Sequence, residues 1–160
     1  MSTLDTPAPQ APTGHAADQV DPRGPQFGAV LTTVVLAVVL ATAPSAFAVV
    51  LLAVQAVLFA AGALLGVSRT PYAWLFRTLV RPRLGPPAEW EDSAPPRFAQ
   101  AVGLAFAVVG LVGFLAGLQI VGLVAVGFAL AAALLNAAFG FCLGCEMYLL
   151  LRRATSPRTA

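Results

Sequence analysis

Four long apolar runs dominate this chain of 160 residues, and they constrain its fold more than any other feature. They extend over about 27–43, 46–67, 98–118 and 120–151. Each run approaches or exceeds the roughly 20 residues that a helix needs to cross a hydrocarbon core of about 30 Å. Backbone polar groups in lipid must be satisfied within the segment, and the runs lack the alternation of a membrane barrel. We therefore predict an all-α fold, an integral membrane four-helix bundle.

The composition agrees with residence in a lipid bilayer. Only 10% of the residues are charged and 59% are hydrophobic, whereas a soluble domain carries about 25% charged residues. The net charge of +2 is small and no basic patch is interleaved with aromatic residues, so we predict no nucleic-acid partner. The first 25 residues lack the order of a secretory signal and are expected to form a flexible tail.

The positions of the arginines predict the orientation in the membrane. All nine basic residues are arginines, and they precede the first run, follow the fourth, or lie in the loop 68–97. The joints near 43–45 and 117–119 carry no charge. By the positive-inside rule, a multi-pass protein of the inner or plasma membrane is expected, with both termini and the loop in the cytoplasm and two tight hairpins outside. The domains are then a cytoplasmic tail 1–25, a membrane domain 26–153 and a C-terminal tail 154–160.

The cytoplasmic loop has two parts. Residues 70–84 mix aromatic and aliphatic residues with arginines at helical spacing, which predicts an interfacial helix at about 71–81, or alternatively a surface that docks a partner. Residues 85–97 are rich in proline and acidic residues, and Pro95-Pro96 is expected to precede the third span.

Small and polar residues within the runs predict how the helices pack. Gly113 and Gly117 form a GxxxG pair in the third run, and further glycines lie in the fourth. Such residues let helices approach closely, either within one chain or across the interface of a homo-oligomer. Gln55, Gln119 and Asn136 are expected to form hydrogen bonds between helices.

Cys142 and Cys145 are the only cysteines in the chain, and they form a CxxC motif near the end of the fourth run. At a spacing of three residues they share a helix face and are close enough to bridge. On one continuous helix from 120 to 151 they would lie near its C-terminus at the cytoplasmic interface, where the thiolate is disfavoured and thiols stay reduced. A break at Gly140 would instead create a helix N-terminus ahead of Cys142. The sequence permits both arrangements.

Glu146 is the only acidic residue within an apolar run. An ionisable group in such a place is a candidate functional residue. It is expected to pair with Arg77, Arg81 or Arg97, to move protons to a departing thiolate, or to help to hold a metal.

Three interpretations of the CxxC motif remain open at this point. It carries out thiol redox or persulfide chemistry, it binds a metal, or it consists of two small packing residues. No cofactor is predicted, because zinc or copper would need four thiolates and therefore two chains.

Three motifs resemble those of a known family: VDPRGPQF (20–27), RPRLGPPAEWEDSAPPRFAQAVG (81–103) and GFCLGCEMY (140–148). Together and in this order they are similar to the small bacterial membrane proteins, frequent in actinobacteria, catalogued as domain of unknown function 4395. The resemblance covers about residues 18–153. It implies a four-helix integral membrane protein and an association with thioredoxin-like or sulfurtransferase proteins, near whose genes members are often encoded.

The function expected from these observations is that of a membrane-embedded thiol protein. Cys142 and Cys145 would serve thiol–disulfide exchange or sulfur relay with a cytoplasmic thioredoxin-like or sulfurtransferase-like partner. Cys142 would attack if the helix breaks at Gly140, Cys145 would resolve, Glu146 would manage protons, and the loop 85–97 would cap the site. The alternative is a non-enzymatic membrane scaffold that recruits a partner through the loop 68–97.

Overall fold

The computed structural model describes residues 19–87 and 89–155, and nearly all of them are helical. Seven α-helices are linked by short turns, with a 3₁₀ turn at Val67–Arg69 and a π-helical turn at Phe76–Val80. The helices are α1 (Arg23–Thr42), α2 (Ala46–Leu65), α3 (Pro71–Leu75), α4 (Arg81–Leu84), α5 (Ala94–Leu115), α6 (Gln119–Phe139) and α7 (Leu143–Thr155). Two short strands, β1 (Gln19–Val20) and β2 (Glu91–Asp92), pair in antiparallel fashion, which the sequence analysis did not predict.

The four long helices α1, α2, α5 and α6 form a bundle in which each contacts two neighbours, in the cyclic order α1–α2–α5–α6. All four are long and apolar enough to cross a membrane. Leu36, Leu52 and Val126 are fully buried at the centre of the bundle. Large apolar side chains also cover its outer surface; Leu115 and Ile120, for example, are 73% and 77% exposed. An apolar exterior around an apolar core is the arrangement expected where lipid is the solvent.

Glycines bring α5 and α6 into backbone contact. A Cβ atom added at Gly113 would lie 2.6 Å from the backbone nitrogen of Gly122, so no side chain fits there. The prediction that glycines pack helices together within the chain is therefore confirmed for Gly113 and Gly122. It is wrong for Gly117, which forms the turn after α5 with a φ of +75°, and for Gly127, which has nothing within 4 Å. The GxxxG spacing did not show that the helix ends before its second glycine.

Two of the predicted spans start earlier than expected. α1 begins at Arg23 and not at Phe27, and α5 begins at Ala94 and not at Phe98. In both cases the helix takes a proline into its first turn, where the missing N–H has no partner to lose. Pro95 and Pro96 thus open the helix that they were expected to precede.

The residues before α1 belong to the folded part of the chain, which corrects the predicted tail 1–25 from residue 19 onward. Gln19–Val20 pairs with Glu91–Asp92. Arg23 forms an ion pair of 2.9 Å with Asp21, and the same guanidinium donates to the carbonyl oxygen of Gly85 at 3.1 Å. The Arg23 guanidinium holds the pKa of Asp21 below its usual range. Residues 1–18 and 156–160 lie outside the described residues, and the predicted C-terminal tail begins no earlier than 156, because α7 continues to Thr155.

A helical segment from Pro71 to Leu84 covers the predicted helix at about 71–81 in three pieces, α3, the π-helical turn and α4. Its start is set by Thr70, whose side-chain oxygen accepts from the backbone N–H of Ala73 at 3.2 Å, with Pro71 in the first position. The segment packs against the N-terminal part of α1 through Phe76. This side chain is buried, and its ring lies 5.9 Å from that of Phe27.

Candidate functional site

The fourth predicted span is two helices, and the break lies at Gly140. This residue has a φ of +67°, and its N–H donates to the carbonyl oxygen of Asn136 at 3.0 Å, which closes α6. A left-handed residue at this place is inexpensive only for glycine. The continuous helix over 120–151 is therefore wrong, and of the two arrangements that the sequence permitted the structure adopts the broken one.

The break converts Cys142 into the residue that precedes α7. Its carbonyl oxygen accepts from the N–H of Glu146 at 3.0 Å, and its Sγ accepts from the N–H of Cys145 at 3.3 Å. The free N–H groups and the dipole of a helix N-terminus favour negative charge, so a thiolate at Cys142 would be stabilised here. This reverses the argument from a continuous helix, which placed the pair near a C-terminus.

The sulfur atoms of Cys142 and Cys145 are joined in a disulfide. Their Cα atoms are 5.2 Å apart, within the range that a disulfide requires. The expectation of two reduced thiols thus differs from the structure. The reason is local, since Cys142 folds back over the first turn of α7 and its sulfur reaches Cys145 without displacing the helix.

Glu146 lies in the first turn of α7 and is exposed on the surface of the bundle. In the described ranges 19–87 and 89–155 it forms no salt bridge with the arginines proposed for it. Arg77 donates to the carbonyl oxygen of Ser68 at 2.7 Å, and Arg97 donates to that of Ala63 at 3.2 Å. A carboxylate at this position still interacts favourably with the helix N-terminus.

α7 is held against the N-terminal half of α5. A Cβ atom at Gly144 would lie 2.7 Å from the Cα of Ala99, so the two backbones touch. One turn later, the ring of Tyr148 packs against that of Phe98 with centroids 5.8 Å apart. These contacts place the disulfide at the end of the bundle, beside the start of α5.

A cavity of about 250 Å³ lies between the helices next to this disulfide. Its wall consists largely of small and aromatic residues of α1, α5 and α6, and the first turn of α7 closes one side with Cys142, Leu143, Gly144 and Met147. Cys145 does not line it. The polar groups of its wall belong to Thr32, Gln100 and Asn136.

A second cavity of about 210 Å³ lies beside the segment 67–84 and carries charge. Asp21, Arg77 and Arg81 line it, and Trp90 of the loop 85–97 lies under the guanidinium of Arg81 at 5.8 Å. The predicted capping loop therefore contributes Trp90 to this cavity, and only Pro96 to the cavity beside Cys142.

Polar side chains connect the two cavities. The Tyr72 hydroxyl donates to Oε1 of Gln55 at 3.0 Å, and Nε2 of Gln55 donates to the Thr32 hydroxyl at 3.5 Å. Burial raises the pKa of Tyr72. Thr32 and Gln100 line both cavities, so the chain of hydrogen bonds leads from the charged cavity to the one beside Cys142.

Only part of this polar set could be predicted from the sequence. The predicted hydrogen bond between helices is confirmed for Gln55. The same prediction is wrong for Asn136, whose side chain bonds to no described residue, and for Gln119, whose Oε1 is buried without a partner in the described ranges. Thr32 and Gln100 were missed, although polar residues within apolar helices were the signal that could have found them.

The described part of one chain offers few side chains that could bind a metal together. Within residues 19–87 and 89–155 no group of three or more His, Cys, Asp or Glu side chains converges. The alternative of zinc or copper at Cys142 and Cys145 would therefore still need two chains, each with its disulfide reduced.

No curated protein and no solved structure matches the chain. A family model described as domain of unknown function (DUF4395) matches residues 20–153, from the ion-paired segment before α1 to the arginines at the end of α7. The resemblance found in the three motifs is thereby confirmed, and the chain belongs to this family.

Proposed function

We propose that the protein is a membrane-embedded thiol–disulfide exchange protein whose reactive pair is Cys142 and Cys145. The observation that carries the proposal is the break at Gly140, which puts Cys142 immediately before the N-terminus of α7. Reactive CxxC pairs need a first cysteine whose thiolate is stabilised, and backbone N–H groups at a helix N-terminus provide this.

Exchange proceeds through a mixed disulfide at Cys142. A thiolate of the partner attacks Sγ of Cys142, the bond to Cys145 breaks, and Cys145 leaves as a thiolate. A second thiolate of the partner then attacks the partner's own sulfur in the mixed disulfide and releases Cys142. The partner loses two electrons and the pair gains them, and the reverse sequence reduces a partner's disulfide. Glu146, next to Cys145 in sequence, is the candidate group to exchange the proton of that thiol.

The partner is expected to be a cytoplasmic thioredoxin-like protein, or a sulfurtransferase-like protein if the pair carries persulfide sulfur. The arginines support this orientation, because Arg23, Arg97, Arg152, Arg153 and those of the segment 69–83 flank the same ends of the long helices as α7 does. In this placement the joints after α1 and α5 are extracytoplasmic hairpins, and both termini are cytoplasmic.

The segment from Pro71 to Leu84 is proposed to lie in the headgroup region. Trp74, Leu79 and Leu84 are 59%, 50% and 50% exposed, and arginines alternate with them. An exposed apolar face beside basic residues suits the interface of a bilayer. The same face is what a scaffold would use to recruit a partner, so the scaffold remains the second candidate.

Trapping of the mixed disulfide tests the proposal. The full-length Cys145→Ser variant in inside-out vesicles is incubated with a thioredoxin that keeps only the attacking cysteine of its pair, activated as a mixed disulfide with thionitrobenzoate. The covalent adduct is detected on a non-reducing gel. We expect an adduct with Cys145→Ser, because Cys142 attacks the thioredoxin sulfur, thionitrobenzoate leaves, and neither protein holds a second thiol that resolves the mixed disulfide. Much less adduct is expected with the matched Cys142→Ser variant.

Equal trapping by the two variants, or none by either, would overturn the exchange proposal. The double variant Cys142→Ser, Cys145→Ser separates it from the scaffold. A scaffold would still recruit its partner to vesicles after the double change, whereas exchange activity would be lost.

A further inference from the structure

The cavity beside Cys142 opens on the apolar outer surface of the bundle. Phe128, Leu143 and Met147 line it and are also 62%, 43% and 41% exposed. A molecule that enters between these apolar side chains in a membrane would come from the surrounding lipid. This opening suits a lipid-soluble occupant.

The inner wall offers hydrogen-bond donors to such a molecule. Among the described residues, the side-chain amides of Gln100 and Asn136 have no hydrogen-bond partner in the protein, and both line the cavity. Thr32 adds a hydroxyl. An apolar pocket with a few convergent polar groups is typical of small-molecule sites. The cavity volume of about 250 Å³ is just below their usual range of roughly 300–1,000 Å³.

We propose that this cavity binds a membrane quinone, which accepts the electrons of the reduced Cys142–Cys145 pair. The inference rests on the proposed exchange function and names the electron acceptor of the same pair. Apolar rings of the wall would surround the quinone ring, and the amides of Gln100 and Asn136 would donate to its carbonyl oxygens. Cys142, which lines the cavity, would be the cysteine in contact with the ring.

The reaction balances without a further reactant. The two S–H bonds of the pair are lost and one S–S bond forms, which releases two electrons and two protons. The quinone takes up both electrons and both protons, and its two carbonyl oxygens become hydroxyls. The thiolate of the cytoplasmic partner can then attack the re-formed disulfide at Cys142.

A quinone fits the cavity better than a lipid acyl chain does. An acyl chain accepts no hydrogen bonds and would leave the amides of Gln100 and Asn136 unsatisfied, which is costly in an apolar medium. It also gives no reason for a cysteine pair to form part of the wall. A quinone uses the polar wall groups, the apolar opening and the cysteine pair together.

The test uses the full-length protein in nanodiscs, reduced with dithiothreitol and then freed of reductant under anaerobic conditions. A benzoquinone and a naphthoquinone, each with a short isoprenoid chain, are added separately. Quinol formation is followed by absorbance and thiol loss by alkylation. We expect one quinol for each pair of thiols lost with at least one of the quinones, and the faster arm identifies the ring system.

Two neighbouring alanines of α6 provide a matched pair of variants. Ala132 lines the cavity, whereas Ala131 is exposed and does not. Ala132→Phe fills the cavity and should slow quinol formation about a hundredfold, the scale of a displaced reactant, while Ala131→Phe should leave it unchanged. Asn136→Leu is the milder variant should Ala132→Phe fail to fold, and it should raise the half-saturating quinone concentration about tenfold.

The outcomes separate this inference from the proposed function. If neither quinone oxidises the reduced pair while Cys145→Ser still traps thioredoxin, the quinone site is wrong and the exchange function stands. If quinone oxidises the pair but no thioredoxin adduct forms, the exchange function is wrong. Equal rates in Ala131→Phe and Ala132→Phe would place any quinone outside this cavity and would also overturn the inference. An acyl chain as the sole occupant would leave quinone oxidation absent in the wild type.

Discussion

Docking of α7 on α5 depends on the absence of a side chain at Gly144, and a single methyl group should loosen it. A Cβ atom at this position would meet both Cα and Cβ of Ala99 at 2.7 Å. Because one of these atoms belongs to the backbone, the helices must separate. Overpacking of this kind costs about 1–3 kcal/mol, and alanine regains about 0.5–1 kcal/mol over glycine within a helix. For Gly144→Ala we therefore expect docking to weaken by about 1 kcal/mol, or about fivefold in the ratio of docked to undocked α7.

Gly127 provides the control, because it is also a helical glycine but has nothing within 4 Å of an added Cβ atom. Gly127→Ala should bring only the gain in helix propensity. Hydrogen–deuterium exchange of the peptide 143–155 in nanodiscs measures docking, since local opening sets the exchange rate of its amides. We expect about fivefold faster exchange in Gly144→Ala and no change in Gly127→Ala. Unchanged exchange in Gly144→Ala, or the same change in both, would refute the packing argument.

Three further changes test other parts of the structure. Gly113→Ala should destabilise the bundle by about 1–3 kcal/mol, because its methyl group would meet the backbone of α6, and thermal unfolding in detergent measures the loss. Tyr72→Phe removes the donor to Oε1 of the buried Gln55 and should cost about 1–3 kcal/mol in the same assay. Arg23 lowers the pKa of Asp21, so this pair stabilises the fold at neutral pH, and its contribution is lost as the pH falls below about 4 and through the lowered pKa. Asp21→Asn should remove that part of the acid sensitivity, and an unchanged pH profile of unfolding would show that the pair contributes nothing.

The helices of the bundle could be predicted from hydropathy, because each long apolar run has to be helical in lipid. The short joints near 43–45 and 117–119 mark where one run ends and the next begins. The fourth run shows the limit of that reasoning. Phe141 and Leu143 keep the run apolar across the break, so nothing in the hydropathy marks it. The break is a backbone property of Gly140, whose left-handed conformation hydropathy does not report.

The candidate site was predictable in its chemistry and not in its surroundings. The CxxC spacing identified Cys142 and Cys145, yet their position relative to a helix N-terminus followed from the break and was open. Glu146 was assigned to one continuous apolar run, whereas it lies in the first turn of a separate helix, α7. The cavity is lined by small residues of several helices that come together only in the folded bundle. Contacts between residues so distant in the sequence cannot be predicted from a single sequence.

The short connection from Gly140 to Cys142 has a consequence for regulation. α7 supplies both the cysteine that a cytoplasmic partner would attack and a wall of the cavity, through Leu143, Gly144 and Met147. A partner that shifts α7 would therefore change the affinity of the cavity for its occupant. Thermodynamic linkage makes that effect reciprocal, so the occupant would alter the partner's affinity by the same factor. A quinone and its quinol that bind this cavity with different affinities would then hold the cytoplasmic protein at the membrane with correspondingly different affinities.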